Sequence, residues 1–495
     1  MEIRFPDIPL YKGWGHPYRV EATIRGLELV EGHLPPEIEG TLLRCGPDRQ
    51  YPPSNGSDVF IDGEGMVHTF RFSGGQVDYM SRWVRTERFV LQEEARRNLF
   101  GRYRNRFTNA PEAGGARMGT ANTNLVFHAG KLLALKEDDL PYELDPQTLE
   151  TRGHCDFAGA ITSVSLSAHP KLDLVHDEML TFSYQAKGDG TKDIVFYALN
   201  RDGRVVDEIW FEMPWPGMVH DFAVTPNYAV FPFFPFITDM DVVKRGGPFY
   251  QWHPDEETRV AIVPRHGTAR DVRWFRGPTM SAGHMMNAYE DGSKLHLDVC
   301  LYDGPCFDFF PTPSGESFPT PPPILTQFTF DLSDGDGYKL RPLARIPGEL
   351  PRTDDRYQGH GYQHGYMVAG RGADGSSSVG HVDHNTGKME CWSPGPASAV
   401  QESQFVPRRT DSKEGDGYLL TVVNRLAENH SDLAVLDARN VSAGPLALFR
   451  MPVRVRMAFH GTWVPAETFR TRSYAMEIAP TEIAPMEIGP KEIGR

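Results

Sequence analysis

Short runs of β-branched and aromatic residues recur along almost the whole chain, and turn segments rich in Gly, Asp and Asn separate them. Six of these turn segments read FSGGQVD, NRDGRV, YEDGSK, SDGDGY, GADGSS and KEGDGY. Gly, Asn and Asp adopt the positive φ that a tight reversal between antiparallel strands requires. The pattern predicts an all-β protein, and 495 residues suffice for one large β domain or for several small ones.

Individual elements follow from the same reading. Residues 194–199 and 205–211 are expected to form a hairpin that turns through Asn200, Asp202 and Gly203. Similar hairpin strands are expected over residues 418–423 and 433–436. Residues 86–100 predict a helix with Thr86 as its N-cap, because helix formers follow Thr86 without Gly or Pro.

Two Pro-rich segments interrupt the strand pattern. Residues 300–324 are dense in Pro and aromatic residues, which fits a stiff ordered loop over a pocket, and a surface excursion packed by its own rings fits equally well. The last residues repeat a five-residue unit with regular Pro and Gly, which disfavours helices and strand ladders. We therefore expect one folded domain over residues 1–470 and a disordered tail over residues 471–495.

Charge and composition exclude several classes of function. The net charge is -15, and no run of Lys and Arg is long enough to follow a phosphate backbone, so nucleic acid is not an expected partner. No apolar stretch reaches the length of a spanning helix, and the charged 86–100 segment does not suit a membrane surface, so no stable membrane insertion is expected. The N-terminus lacks the layout of a signal peptide, which favours the cytoplasm.

The five cysteines form no CxxC pair and are scattered along the chain, which predicts reduced core residues and argues against a zinc site or a disulfide scaffold. The oligomeric state stays open, a homodimer included.

Four of the 18 histidines lie in segments typical of strand ends, flanked by small or turn residues. They are His169 in SVSLSAHPKLD, His220 in WPGMVHDFAVTPNYAVF, His284 in PTMSAGHMMNAYEDG and His460 in VRMAFHGTWVP. They are too distant in sequence for a local metal motif such as HExxH. Only a fold that returns the chain repeatedly to one axis, as a β-propeller does, could gather them. Spacing alone also fits four separate histidines in the core.

The order of several further segments carries a resemblance to a known family. These segments are GTLLRCGP (40–47), FIDGEGMVHTFRF (60–72), GTANTNLVFHAGKLLALKEDDLPYELD (119–145), GELPRTDDRYQGHGYQHGY (348–366) and ESQFVPR (402–408). Together with the histidine segments, they resemble the signature blocks of the carotenoid cleavage oxygenases, in family order and over nearly the whole chain except the tail. Within that family the chain is most similar to the lignostilbene dioxygenases.

The resemblance implies a fold and a metal. It implies a seven-bladed β-propeller with a short helical and loop cap over the metal-bearing face. It also implies Fe(II) held by His169, His220, His284 and His460, with open coordination positions for O2. Glu137, Glu349 and Glu402 match the glutamates that the family places behind the histidines. A carboxylate that accepts the second ring N–H would fix the tautomer of each imidazole and aim Nε2 at the metal.

The resemblance to lignostilbene dioxygenases also implies a substrate. Lys136 and Tyr103 match the residues that engage its 4-hydroxyl group, and an ammonium beside a phenol favours phenolate. Phe60, Phe307 and Phe459 could line an aromatic slot, although Phe is a common packing residue. The expected reaction, part of aromatic compound catabolism, is the O2-dependent cleavage of the central C=C bond of a 4-hydroxystilbene to two aromatic aldehydes.

Two alternatives remain open from the sequence. An apocarotenoid or carotenoid cleavage oxygenase would use the same iron site with a longer and more apolar tunnel. A metal-free propeller that acts as an interaction scaffold would need none of the histidines. The complete set of four histidines and three glutamates favours an enzyme. The role of Lys136 separates the phenolic from the carotenoid substrate.

Overall fold

The computed structural model describes residues 3–54, 56 and 59–472. Within these residues, seven antiparallel sheets of four to six strands follow one another along the chain, and one short two-stranded sheet stands apart from them. The seven sheets are the blades of a β-propeller, which confirms the predicted all-β, seven-bladed fold. We number the blades I to VII in the order in which their inner strands surround the axis, starting from the blade that contains His460.

Blades II to VI are simple meanders, each built from consecutive strands. From the axis outward, blade II comprises Asn124–His128, Lys131–Leu135, Tyr142–Leu144 and Thr151–His154. Blade III comprises Lys171–Asp173, Glu178–Tyr184, Asp193–Leu199 and Val205–Glu212. Blade IV comprises Ala223–Val224, Tyr228–Phe233, Thr258–Pro264 and Arg273–Gly277. Blade V comprises Ser281–Asp291, Lys294–Tyr302, Ile324–Asp331 and Tyr338–Pro342. Blade VI comprises Gly348–Arg352, His364–Ala369, Ser378–Asp383 and Lys388–Trp392.

Blades I and VII join the two ends of the chain. Blade I takes its inner strand, His460–Pro465, from the C-terminal part, followed outward by Gly40–Asp48, Glu64–Ser73, Gln76–Trp83 and Ala22–Ile24. In blade VII, Ser398–Val400 and Gln404–Pro407 both pair with Gly417–Arg425, followed outward by His430–Asp437, Pro445–Arg450 and Glu28–Gly32. Strands from distant parts of the chain therefore close the ring.

The helices are short. The α-helices are α1 (Glu87–Ala95), α2 (Met240–Lys244) and α3 (Ala466–Arg472), and the two-stranded sheet pairs Phe236–Ile237 with Gln251–Trp252. Single 3-10 turns cover Pro9–Tyr11, Gly13–Gly15, Phe60–Asp62, Arg106–Thr108, Pro111–Ala113, Ala269–Asp271, Asp355–Tyr357 and Val441–Ala443. Among the residues described, no helix is long and apolar enough to cross a membrane.

The predicted hairpins are confirmed. Asp193–Leu199 pairs with Val205–Glu212, and the Asn200 side chain accepts hydrogen bonds from the amides of Asp202 and Arg204 across the turn. Gly417–Arg425 pairs with His430–Asp437 in the same way. The local turn chemistry alone sufficed to place these strands.

The predicted helix begins correctly but is shorter than expected. The Thr86 hydroxyl accepts a hydrogen bond from the Phe89 amide, as an N-cap does, whereas the helix ends at Ala95 and not at Phe100. Arg96 adopts the left-handed conformation, with φ 54°, and stops the helix. Phe100, which is fully buried, then lies beneath the Arg88 guanidinium, so tertiary packing overrides helix propensity here.

The loop between Tyr302 and Ile324 divides into two parts. Phe307 and Phe310 pack into the core with Phe236, which fits the ordered loop over a pocket. Residues 313–320 are exposed, as a surface excursion would be. The five cysteines are all free, and three of them are buried, as expected for reduced core residues. The repeats beyond residue 472 lie outside the described residues.

Candidate metal centre

The four predicted histidines meet on the propeller axis, and each comes from a different inner strand or from the residues just before one. His169 and His220 precede Lys171–Asp173 and Ala223–Val224, whereas His284 lies within Ser281–Asp291 and His460 begins His460–Pro465. One ring nitrogen from each of the four lies within 4.8 Å of the other three, and this is the single such cluster among the described residues. Blades III, IV, V and I therefore form a four-histidine site that can hold a metal ion.

The spacing of the nitrogens fits a metal. His169 Nε2 and His220 Nε2 are 3.1 Å apart, close to the roughly 3.0 Å expected of neighbouring ligands at right angles with bonds of about 2.1 Å. His284 Nε2 is buried and has no hydrogen-bond partner. A buried polar atom without a partner is costly, and a metal ion at the centre of the cluster would satisfy it. The residues therefore fit the Fe(II) ion that the resemblance implies.

Three glutamates hold three of the rings; Glu137 and Glu402 are buried and Glu349 is half-buried. Glu137 accepts a hydrogen bond from His220 Nδ1 at 2.6 Å, and Glu349 and Glu402 accept from His284 Nδ1 and His460 Nδ1 at 2.7 and 2.8 Å. With Nδ1 carrying the proton, each Nε2 presents its lone pair to the centre. The glutamates that the sequence singled out therefore lie behind the histidines.

The second oxygen of each glutamate is fixed by a further buried donor. Tyr184 Oη donates to Glu137 at 2.9 Å, and Tyr302 Oη donates to Glu349 at 3.1 Å. Arg44 Nη1 donates to Glu402 at 2.7 Å. Both oxygens of each carboxylate are thus engaged, which leaves the carboxylates little freedom to rotate away from the rings.

The electrostatics favour ionised glutamates. Burial opposes their charge, yet the His220 ring and the Lys136 ammonium hold the pKa of Glu137 at about 2. Arg352, His460 and Arg44 likewise overcome burial and hold the pKa of Glu402 at about 2. Both groups are therefore carboxylates at neutral pH and accept hydrogen bonds without donating any.

The pKa values of the histidines are shifted in different directions. Burial lowers the pKa of His460 to about 4 and that of His169 well below its usual range, so both rings are neutral. At His284 the Glu349 carboxylate outweighs burial and raises the pKa. A divalent cation beside the ring would favour its neutral form, so the metal and Glu349 act on His284 in opposite directions.

Lys136 and Tyr103 form a second feature close to the metal centre, which we call the Lys136–Tyr103 corner. Both residues are about 5% exposed, and Lys136 Nζ lies 5.3 Å from the centroid of the Tyr103 ring. Tyr103 Oη has no hydrogen-bond partner. No described residue forms a hydrogen bond or ion pair with Lys136 Nζ. Since Glu137 directly follows Lys136, the corner adjoins the carboxylate that holds His220.

The three predicted phenylalanines are half-buried and fall into two groups. Phe307 packs edge-on against His220, with 5.8 Å between ring centroids. Phe60 and Phe459 form an edge-to-face pair at 5.5 Å, and Phe459 directly precedes His460. All three rings are therefore close to metal-binding segments, in space or along the chain.

A polar cavity that the sequence did not predict borders three of the four histidines. It is lined by His169, His284 and His460 together with charged residues, among them Lys171, Asp221, Arg352 and Asp355. Neither residue of the Lys136–Tyr103 corner is part of its lining. The cavity therefore gives polar access to the histidines, separate from the corner.

Asp221 is the most connected residue of this cavity. Its carboxylate accepts hydrogen bonds from Lys171 Nζ at 2.7 Å and from the Met285 amide at 2.8 Å. It therefore ties together the segments that carry His169, His220 and His284. Because Lys171 lies two residues after His169 and Asp221 directly follows His220, closeness to the histidines could have identified both from the sequence. For Tyr184, Tyr302 and Arg44 no such signal exists.

Comparison with known proteins agrees with the fold and the site. The model of the family RPE65, retinal pigment epithelial membrane protein, matches residues 15–465. Isoeugenol monooxygenase from Pseudomonas putida is 41% identical over 92% of this chain and 98% of its own. Lignostilbene-α,β-dioxygenase isozyme III from Sphingomonas paucimobilis is 40% identical over 93% of this chain and 98% of its own.

The solved structures lead to the same group. The crystal structure of Pseudomonas brassicacearum lignostilbene dioxygenase superposes with a TM-score of 0.91 and 43% identity, over 94% of this chain and 100% of its own. These relatives are oxygenases, which excludes the reading as a non-catalytic scaffold. The chain belongs to the RPE65, or carotenoid cleavage oxygenase, family and is an oxygenase.

Proposed function

We propose that the protein is an Fe(II)-dependent dioxygenase that cleaves a C=C bond conjugated with a 4-hydroxyphenyl ring, as in a 4-hydroxystilbene, to two aldehydes. His169, His220, His284 and His460 would bind the iron, and Glu137, Glu349 and Glu402 would orient three of them. The bound iron would supply the site at which O2 is activated. The overall reaction balances, because one alkene and one O2 become two carbonyl compounds.

The observation that carries this proposal is the position of Lys136 beside Tyr103, next to the metal centre. Lys136 is about 5% exposed and its ammonium forms no hydrogen bond or ion pair with the described residues, so an anionic or hydrogen-bonding group beside it would be stabilised. A phenol whose oxygen meets Lys136 Nζ and Tyr103 Oη would satisfy both groups at once. The corner therefore suits a phenolic head group.

The ammonium also has a chemical task. A positive charge beside the phenol favours the phenolate, as it does for any acid next to a cation. Phenolate oxygen donates electrons through the conjugated ring to the alkene, which makes the double bond a better partner for O2. Phe60, Phe307 and Phe459 would line the slot along which the flat conjugated substrate lies.

The relatives bear on the substrate class. Isoeugenol and lignostilbene, named in two of them, both contain a phenol conjugated with an alkene. A carotenoid carries no phenol and would leave Lys136 and Tyr103 without partners, so an apocarotenoid substrate is the second candidate and not the first.

Anaerobic loading with Fe(II), followed by air and product analysis, tests the proposal. We expect 4-hydroxystilbene to yield 4-hydroxybenzaldehyde and benzaldehyde in equal amounts, whereas 4-methoxystilbene and an apocarotenal react much more slowly. Faster cleavage of the apocarotenal than of any hydroxystilbene would contradict the proposed substrate.

A further inference from the structure

The three glutamates behind the histidines differ in what lies beyond them. Glu349 and Glu402 meet Tyr302 and Arg44, whereas Glu137 meets Tyr184, which belongs to a larger buried hydrogen-bond network. Tyr184 Oη lies 2.9 Å from Tyr250 Oη and accepts a hydrogen bond from Arg104 Nη1 at 2.9 Å. We call Arg104, Tyr184 and Tyr250 the Tyr184 network.

The Tyr184 network is joined to the Lys136–Tyr103 corner through the chain itself. Arg104 directly follows Tyr103, and Glu137 directly follows Lys136. Arg104 also has a positive φ of 55°, an uncommon backbone conformation that fixes the direction in which its side chain leaves Tyr103. Tyr103 and Lys136 thus belong to the proposed phenol site, whereas Glu137 accepts from His220 and Arg104 donates to Tyr184.

The corner is the part of this arrangement that substrate would change. Tyr103 Oη is buried without a hydrogen-bond partner, and Lys136 Nζ lies 5.3 Å from the centroid of the Tyr103 ring and forms no hydrogen bond with the described residues. Both polar groups would gain a partner when a phenolate enters. Their backbone positions, and those of Arg104 and Glu137, would then be held more tightly than in the free protein.

We propose that phenol binding at the Lys136–Tyr103 corner is coupled through the Tyr184 network and Glu137 to His220, so that phenol and metal strengthen each other's binding. The coupling rests on the proposed function, since it requires a phenolic ligand at Lys136. Because linkage is reciprocal, the factor by which phenol tightens metal binding equals the factor by which metal tightens phenol binding. Tyr184 is therefore a positioning residue that acts through Glu137.

Tyr302 provides a matched control. Tyr302→Phe removes a tyrosine hydrogen bond from Glu349, the same loss that Tyr184→Phe causes at Glu137. The described contacts of Tyr302 include neither Tyr103 nor Lys136. Comparison of Tyr302→Phe with Tyr184→Phe therefore separates two effects. Both variants lose a hydrogen bond to a carboxylate, but only Tyr184→Phe loses the link to the Lys136–Tyr103 corner.

The test measures 4-hydroxystilbene affinity under anaerobic conditions in metal-free and in Co(II)-loaded protein. We expect Co(II) to tighten phenol binding about fivefold or more in the parent protein and in Tyr302→Phe, the lower end of usual coupling factors. In Tyr184→Phe the factor should fall below about twofold. The visible absorption of Co(II) should likewise shift on phenol binding in the first two proteins and not in Tyr184→Phe.

Equal factors in all three proteins would overturn the coupling, since they would show that phenol and metal interact directly through space. If Tyr184→Phe does not fold, Tyr250→Phe is tested in its place, because it breaks the Tyr184 network and leaves the Tyr184–Glu137 hydrogen bond intact. If Co(II) tightens phenol binding in Tyr250→Phe as much as in the parent protein, the coupling is overturned equally. If Lys136→Met binds 4-hydroxystilbene as tightly as the parent protein does, the proposed function fails at its own step.

Discussion

Glu402 shows how much of the metal centre depends on single buried side chains. Its carboxylate links His460 Nδ1 on one oxygen to Arg44 on the other, and both Glu402 and Arg44 are 1–2% exposed. A substitution here changes the orientation of a metal ligand and leaves a buried guanidinium without its counterion. The effect on the metal should therefore exceed that of any surface carboxylate.

We predict that Glu402→Gln weakens metal retention about 10- to 100-fold without abolishing folding, the usual range for residues that orient ligands. Metal content after dialysis against a graded series of chelator concentrations measures this. Glu94→Gln, at an exposed position of α1, is the control and should keep the parent affinity. Metal content in Glu402→Gln equal to that of the control would show that Glu402 does not position His460.

At the residue scale the sequence reached the histidines and glutamates because they lie in segments that resemble the family. It did not reach Tyr184 or Arg44. The Arg44–Glu402 contact joins residues that are 358 positions apart, and nothing local marks an arginine as the partner of one particular carboxylate. Such contacts are set by the order of the blades and not by neighbouring residues.

At the scale of elements, buried ion pairs attach α1 to blade I. Arg88, on α1, is 1% exposed and contacts Asp62 at 2.9 Å and Glu64 at 3.1 Å. The helix was predictable from Thr86 and the residues after it, whereas its end was not, because the left-handed Arg96 and the burial of Phe100 follow from packing.

We predict that Arg88→Met lowers the free energy of unfolding by about 3–5 kcal/mol, because it removes the buried cation from Glu64 and one of the two cations, Arg88 and Arg49, from Asp62. Arg97→Met is the control, since Arg97 is 49% exposed and its surface pair with Glu112 contributes little to stability. The urea concentrations at the midpoints of unfolding are compared for the parent protein and the two variants. Equal midpoints would mean that water or another cation replaces Arg88.

At the scale of the whole molecule, the ring explains why distant histidines meet. Inner strands of four blades each deliver one histidine to the axis, and the pairing of Cys45 with His460 in blade I sets the position of the last one. The strand pattern predicted the fold class, whereas the number of blades came from the resemblance. Which blade closes the ring could not be read from local sequence.

The C-terminal repeats give a prediction at the same scale. We propose that residues 1–470 form one domain and that the repeats contribute nothing to its core, since regular Pro and Gly disfavour helix and strand. A chain truncated from Glu477 onward should keep its metal content and its turnover rate. Loss of soluble protein on truncation would contradict this.

The proposed reaction depends on activation of a phenol by Lys136. Lys136→Met removes the charge while keeping a side chain of similar size, and a 4-methoxy group on the substrate removes the ionisable hydroxyl. Because both changes delete the same interaction, their effects on kcat/KM should not add. The most direct measurement is therefore kcat/KM for 4-hydroxystilbene and 4-methoxystilbene with the parent protein and with Lys136→Met.

We expect Lys136→Met to lower kcat/KM for 4-hydroxystilbene at least about 100-fold, as for loss of a buried charged interaction of about 3 kcal/mol. For 4-methoxystilbene, which the parent protein cleaves poorly, the substitution should change kcat/KM by less than about threefold. If Lys136→Met slows both substrates by the same factor, Lys136 has a structural role and the phenol-activation account is wrong.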